Sequence, residues 1–182
     1  MHFVPSKMFL TKGVGVHKHE LRSFEIALRD AGIEKCNLVM VSSILPPRCK
    51  IIPRKQGLQL IQPGQITFAV MARAATCEPH RLIATSIGVA VPADENAYGY
   101  LSELHGYGMN DDTAGDLAED MAAAMLASTL GVDFNEDAAW DEKKEVFRIS
   151  DKIVRTTNVT QTAVGNSQAL YTTCITAAIC IF

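Results

Sequence analysis

The sequence predicts an α/β fold of the α+β kind, with two substantial helices and six or seven strands. Two observations lead to this prediction. Several segments are apolar at almost every position over the length of a strand, so both faces of their sheets must be covered. Two other segments carry apolar residues at helical spacing, and two helices can cover only part of that area. Sheet packed on sheet, with the helices outside, satisfies this count within a single domain of residues 1–182.

The first quarter of the chain predicts two strands and a helix. Residues 2–10 are apolar-rich and extended, and residues 12–15 (Lys-Gly-Val-Gly) predict a glycine-punctuated loop. Gly32 stands where the C-cap of the following helix belongs. The apolar residues at helical spacing in that helix are Leu21, Phe24, Leu28 and Ala31. Residues 36–44 predict a strand that ends before Pro46–Pro47, because proline cannot donate a hydrogen bond to a sheet.

The remainder of the chain predicts a loop, a second helix and five strands. A polar loop is expected over residues 53–64. The helix begins at Asp111–Asp112, where carboxylates favour a helix N-terminus, and it ends at Gly131. One face of this helix is expected to carry Leu117, Met121, Ala124, Met125 and Ser128. The predicted strands cover residues 66–74, 82–91, 97–105, 145–157 and 169–182.

Composition excludes several classes of protein. The 17 basic and 20 acidic residues give a net charge of −3, which argues against a nucleic-acid or anionic-membrane partner. No stretch approaches the ~20 apolar residues of a membrane span, and residues 1–7 lack the pattern of a signal peptide. The five cysteines have no C-x-x-C spacing, so neither a disulfide framework nor a zinc site is indicated. We expect a cytoplasmic protein without a bound metal.

A pair of serines closes the strand predicted over residues 36–44. Ser42 and Ser43 follow an apolar run and precede the two prolines. The hydroxyl of Ser43, if held against the carbonyl of Ser42, can attack that carbonyl and cut the chain. The alternative is structural, since serine often closes a strand and begins a turn. The dipeptide alone leaves both interpretations open.

The residues around this pair resemble those of a known family. The central element is Asn-Leu-Val-x-Val-Ser-Ser-Ile-x-Pro-Pro over residues 37–47. Similar segments occur in the same order at 3–5, 11–15, 23–33, 84–92 and 98–103. Together they resemble the pyruvoyl-dependent arginine decarboxylases over nearly the whole chain. The resemblance implies a four-layer αββα sandwich and self-cleavage between Ser42 and Ser43, which yields chains 1–42 and 43–182.

The same resemblance implies roles for particular residues. Ser43 becomes a pyruvoyl group, the ketone that accepts electrons when CO₂ leaves, so pyridoxal phosphate is not expected. Asn37 assists processing, although it could instead satisfy a backbone group at the strand end. In a regular strand Asn37 and Ser43 share a face. Glu103 protonates the carbanion, and burial on its strand is expected to keep that proton available near neutral pH.

Arginine as the substrate would present its guanidinium group at the far end of the pocket, where a carboxylate should bind it. A planar guanidinium takes two hydrogen bonds from such a group. Glu25 matches the acidic position of the family that faces this end, although an ordinary position at the edge of the helix's apolar face is the alternative. Leu28 and Ile44 are expected to form pocket walls.

The predicted function is that of a cytoplasmic, self-processing lyase. It converts L-arginine to agmatine and CO₂ for polyamine synthesis, and the resemblance implies a homotrimer with active sites between subunits. Two alternatives remain open. One is a pyruvoyl decarboxylase of another amino acid, such as histidine or aspartate. The other is an unprocessed, non-catalytic protein that binds a small amine or serves in assembly.

Overall fold

The computed structural model of the chain describes residues 3–131 and 153–182, so the first part of the predicted strand 145–157 lies outside the described residues. The helices are α1 (Glu20–Ala31), α2 (Arg54–Leu58) and α3 (Asp111–Thr129). The strands are β1 (Lys7–His17), β2 (Asn37–Met40), β3 (Ile44–Leu45), β4 (Lys50–Ile52), β5 (Ile66–Thr76), β6 (Leu82–Pro92), β7 (Gly99–Tyr107), β8 (Ile153–Val164) and β9 (Tyr171–Ile181).

The strands form two sheets. The first sheet has the order β2-β5-β9-β1-β4, and the second has the order β3-β7-β6-β8. In the first sheet β1 and β9 are antiparallel along their whole length, from Lys7 opposite Ile181 to His17 opposite Tyr171. In the second sheet β6 is antiparallel to both neighbours. The long apolar runs predicted as strands are therefore the central strands of the two sheets.

The two sheets lie face to face, with α1 and the short α2 outside the first and α3 outside the second. Helix α1 packs on β1 and β9, and α3 packs on β6, β8 and β7. Strand β9 carries apolar residues on both faces: Ile175 and Ile179 face α1, whereas Ala178 and Cys180 face the second sheet. The core between the sheets contains Met8, Leu45, Val70, Ala72, Ile87, Val89, Leu101, Ala178 and Cys180. This mixed α/β arrangement is compatible with the predicted sandwich.

Residues 12–15 belong to a strand, so the loop predicted there is wrong. Their glycines are required by the approach of α1 rather than by a turn. A Cβ atom on Gly13 would lie 2.2 Å from the carbonyl oxygen of Ala27, and one on Gly15 would lie 2.1 Å from that of Ser23. The loop predicted over residues 53–64 is also partly wrong, because it contains the short helix α2.

Helix α3 turns a different face to the sheet from the one predicted. Leu117 and Met121, which were expected on the buried face, are 42% and 37% exposed. The buried residues are nearly all small: Ala114, Gly115, Ala118, Ala122, Ala123, Leu126 and Ala127. The cause is a close approach at Gly88, where a Cβ atom would lie 2.1 Å from the carbonyl oxygen of Ala118. Only small side chains fit at that distance.

The strand predicted over residues 36–44 is two strands in different sheets. Strand β2 pairs with β5 in parallel in the first sheet. Strand β3 pairs antiparallel with β7 in the second sheet, with Ile44 opposite Tyr100 and Leu45 opposite Gly99. Residues 41–43 therefore cross from one sheet to the other. The expectation that Asn37 and Ser43 share one strand face does not apply, because no regular strand joins them.

Candidate active site

The crossing segment of residues 41–43 is held by one main-chain hydrogen bond at each end. The N–H group of Val41 donates to the carbonyl oxygen of Ala69 in the first sheet, at 3.0 Å. The N–H group of Leu101 in the second sheet donates to the carbonyl oxygen of Ser43, at 2.8 Å. The Ser42–Ser43 peptide is thus fixed between two sheet edges.

A tight turn surrounds the peptide bond between the two serines. The N–H group of Ile44 donates to the carbonyl oxygen of Ser42 at 2.8 Å, which closes a three-residue turn centred on Ser43. This donor points at the oxygen that would gain negative charge if the carbonyl carbon of Ser42 were attacked. A fixed backbone N–H group in that position stabilises such an oxyanion.

A carboxylate lies against the hydroxyl group of Ser43. The Oγ atom of Ser43 donates to Oε2 of Glu103 at 2.5 Å. Strand β7 brings Glu103 to this point because it pairs with β3 immediately after the crossing segment. Hydrogen bonds from a hydroxyl group to an ionised carboxylate are short and strong. The geometry therefore joins the hydroxyl group of Ser43 to a group that can accept its proton.

Glu103 is exposed in this chain, so the burial expected for it is wrong. The reason is the length of β3, which has two residues and covers β7 only as far as Tyr100. His105, which follows on the same face of β7, is exposed as well.

Asn37 makes its hydrogen bonds with the loop before β5. Its side-chain amide nitrogen donates to the carbonyl oxygen of Gly64 at 2.9 Å, and its main-chain N–H group donates to that of Gln65 at 2.8 Å. These bonds satisfy backbone groups at the strand end. Neither of them reaches Ser42 or Ser43.

Glu25 lies on α1, on the outer side of the first sheet. Its Oε2 atom accepts from Nη1 of Arg22 at 3.0 Å, and its Oε1 atom accepts from Nε of Arg29 at 3.0 Å and also from Nη2 of Arg29. The hydrogen bond from Arg29 is the main cause that holds the pKa of the Glu25 carboxyl group below its ordinary value. Leu28 packs against the core cluster beneath α1. Neither residue contacts Ser43 or Glu103 through any of these interactions.

Ile44 lines an apolar cavity of about 310 Å³ beside the serines. Sequence reasoning missed the aromatic residues that line it. Phe182 makes edge-to-face contacts with Phe3 and Phe68, with ring centroids 6.2 Å and 5.6 Å apart. These three residues come from both ends and the middle of the chain, and no local pattern connects them.

The surface around this cavity is apolar. Exposed apolar side chains here are Phe3, Val39, Met40, Val41, Ile44, Ile66 and Phe182. Strand β2, which carries two of them, is at the edge of the first sheet. Large exposed apolar patches of this kind are typical of interaction surfaces.

Comparison with known proteins identifies the family. The family model described as pyruvoyl-dependent arginine decarboxylase matches residues 7–182. The chain belongs to the pyruvoyl-dependent arginine decarboxylase family. The serines, Glu103 and Glu25 all lie within the matched residues of this family member.

Several named relatives align with this chain over almost its whole length. A protein of Chloroherpeton thalassium is 62% identical over 179 residues, 98% of each chain, and one of Chlorobium limicola is 58% identical over the same length and share. Both are called probable pyruvoyl-dependent arginine decarboxylases. A protein of Methanosarcina acetivorans called pyruvoyl-dependent arginine decarboxylase 2 is 53% identical over 176 residues, 97% of this chain and 96% of its own.

The described part of the chain offers neither a metal-binding cluster nor a membrane-spanning helix. Residues 3–131 and 153–182 contain no cluster of three or more His, Cys, Asp or Glu side chains that could bind a metal ion. No helix in the same part of the chain is both long and apolar enough to cross a membrane.

Proposed function

We propose that this protein cleaves itself between Ser42 and Ser43 and then decarboxylates L-arginine to agmatine and CO₂. The observation that carries the proposal is the hydrogen bond between Ser43 Oγ and Glu103 Oε2, in a chain of the pyruvoyl-dependent arginine decarboxylase family. The names of its relatives support arginine as the substrate. We propose that residues 1–182 act as one domain, in the cytoplasm and in polyamine synthesis.

The processing reaction uses groups that are already in contact. Glu103 takes the proton of the Ser43 hydroxyl group, and Oγ bonds to the carbonyl carbon of Ser42 while the N–H group of Ile44 stabilises the oxyanion. The C–N bond then breaks, and the nitrogen of Ser43 takes up a proton. Loss of the Cα proton expels the new carboxylate of Ser42 and leaves dehydroalanine at position 43. Tautomerisation and addition of water release ammonia.

The arrangement at position 43 fits a pyruvoyl group. The Ser43 side chain is partly buried and faces a carboxylate, and its carbonyl oxygen is bonded to Leu101. A pyruvoyl group there supplies a ketone that accepts the electron pair released when CO₂ departs. Glu103, freed from the hydroxyl group, is available to deliver a proton to the substrate carbon. Neither pyridoxal phosphate nor a metal is needed in this proposal.

The distal end of the substrate is assigned to Glu25. The Glu25 carboxylate already binds the guanidinium group of Arg29 through Oε1, so its surroundings accommodate a planar cation. Because α1 lies on the outer side of the first sheet, we infer that Glu25 and Leu28 of one subunit complete the site of a neighbour. We propose a homotrimer in which the exposed apolar surface around Ile44 is buried. Asn37 assists processing in this assembly.

The test is decarboxylation of a panel of amino acids by the purified protein. We expect CO₂ release from L-arginine and none from histidine or aspartate, and Ser43→Ala abolishes it. The matched control is Ser128→Ala, which removes an exposed hydroxyl group on α3. Release from histidine or aspartate alone would support the alternative substrate class. No release from any of them would favour a non-catalytic protein.

A further inference from the structure

The carboxylate assigned to the substrate is already occupied on both oxygens. Arg22 and Arg29 lie three positions before and four positions after Glu25 on α1, and each forms an ion pair with it. Arg29 donates from both Nε and Nη2 to the single atom Oε1. The usual fork contact of a guanidinium ligand places one hydrogen bond on each carboxylate oxygen, so it needs the atom that Arg29 already uses.

The guanidinium group of Arg29 uses acceptor positions of Glu25 that a second guanidinium group would need. The carboxylate has two oxygens with about four acceptor positions in all, and the two arginines use three of them. A substrate that binds through two parallel hydrogen bonds must therefore displace Arg29. The side chains of Arg22 and Arg29 are 55% and 63% exposed, so water can take their place at little cost.

The net charge around Glu25 also weakens the binding of a cationic ligand. Two guanidinium groups around one carboxylate give this cluster a formal charge of +1 before any ligand arrives. A cationic ligand gains less from Glu25 in that surrounding than from a free carboxylate. Removal of Arg29 would leave a neutral Arg22–Glu25 pair.

We propose that Arg29 is an internal competitor for the guanidinium site on Glu25 and sets the affinity of the enzyme for arginine and agmatine. This inference rests on the proposed function, and in particular on contact between Glu25 and the ligand. Arg29 acts in it as an affinity-determining residue and takes no part in the bond-breaking steps.

The experiment compares Arg29→Gln with the unchanged protein. Binding of agmatine is measured by titration calorimetry at low salt, and the KM and kcat for L-arginine are measured in parallel. We expect the Kd and the KM to fall about two- to five-fold, with kcat unchanged, as an exposed ion pair of this kind allows. The difference shrinks as salt is added, because exposed charges are screened.

Two variants control for the loss of a positive charge and for the loss of the two hydrogen bonds from the Arg29 guanidinium group. Arg81→Gln removes the same charge from another exposed ion pair, between Arg81 Nε and Glu78 Oε2 at 3.5 Å, and leaves the Kd unchanged. Arg29→Lys keeps the positive charge but loses the two hydrogen bonds from one guanidinium group. Its Kd for agmatine should lie between that of the unchanged protein and that of Arg29→Gln. Thermal unfolding verifies that each variant is folded.

A Kd that stays the same or rises in Arg29→Gln would overturn this inference. Glu25→Gln then distinguishes ligand binding by Glu25 from competition by Arg29. If it weakens agmatine binding while Arg29→Gln does not strengthen it, Glu25 binds the ligand and only the competition is wrong. If Glu25→Gln leaves binding unchanged, the assignment of Glu25 to the substrate fails, and the competition fails with it.

Discussion

Ser43 and Glu103 are 60 residues apart in sequence and are joined by a hydrogen bond of 2.5 Å from Oγ to Oε2. Their contact depends on the point where the chain leaves the first sheet and enters the second beside β7. The hydroxyl group that could cut the chain therefore donates its hydrogen bond to a carboxyl group that can remove its proton. Four predictions about the site and its scaffold can be measured.

Glu103→Gln should slow self-cleavage. Glutamine can still accept the hydrogen bond from Ser43, but it cannot take the proton, so we expect a rate lower by about 100-fold or more. The measurement is the fraction of cut chain on denaturing gels during incubation after rapid purification. His105→Gln, on the same exposed face of β7, is the control and cleaves normally. Cleavage of Glu103→Gln at the unchanged rate would rule out this role.

Ile44→Pro should also block cleavage. Proline lacks the N–H group that bonds the carbonyl oxygen of Ser42, and loss of one oxyanion donor costs about 100-fold in rate. Ile44→Val keeps the N–H group and loses one methylene, so it should cleave at a normal rate. The same gels measure both variants, and thermal unfolding verifies their folding. Equal rates for the two would show that the donor is unimportant.

Alkaline pH should destabilise the fold through one half-buried and two buried thiols. Burial raises the pKa of Cys49 from 9.0 to about 12 and the pKa values of Cys174 and Cys180 from 9.0 to about 11. Because the folded pKa values exceed the unfolded ones, this stability is complete below pH 9.0 and is lost as the pH rises to about 12.

Urea unfolding at about pH 8 and about pH 10.5 measures this loss. Cys180→Ala removes one of the three thiols and should show a smaller loss between the two pH values. Cys77→Ala removes an exposed thiol and should show the same loss as the unchanged protein. An equal loss in all three proteins would assign the effect to other groups.

Thr176→Val should stabilise the protein. The Thr176 hydroxyl group is fully buried in β9 and has no hydrogen-bond partner among the described residues. Valine has nearly the same shape, so we expect the free energy of unfolding to rise by about 1 kcal/mol. Thr11→Val is the matched control, because Thr11 donates to the carbonyl oxygen of Ala31 at 2.7 Å and accepts from Arg54. It should destabilise the protein by about 1–3 kcal/mol, and a loss in both variants would contradict the account.

Local signals predicted the position and the end of the first helix, although Leu21 of its apolar spacing is 75% exposed. The apolar spacing and Gly32 identified α1, and Gly32 has the left-handed φ of 79° expected of a C-cap. The N–H group of Ile33 bonds the carbonyl oxygen of Leu28, which completes the end of the helix. These features depend on residues close together in sequence, so the sequence alone could predict them.

Features that depend on distant segments were not predicted. The buried face of α3 is set by the approach of Ala118 to Gly88, which selects alanine over the larger Leu117 and Met121. The crossing between sheets at residues 41–43 depends on which strand lies next to which. The candidate site residues were proposed through the resemblance to a family, and the structure joins two of them, Ser43 and Glu103, by a hydrogen bond. The spacing of apolar residues in the sequence could not by itself have predicted the contact between Ser43 and Glu103.

The most direct test of the central claim is the denaturing intact mass of the purified protein. Self-cleavage should yield two chains, residues 1–42 and 43–182. The second chain should be lighter by one ammonia than a chain that begins with serine, and it should react with a carbonyl reagent. Ser43→Ala should give one chain of full mass. A single uncut chain in the unchanged protein after long incubation would contradict self-cleavage, and the proposed decarboxylase would then lack its cofactor.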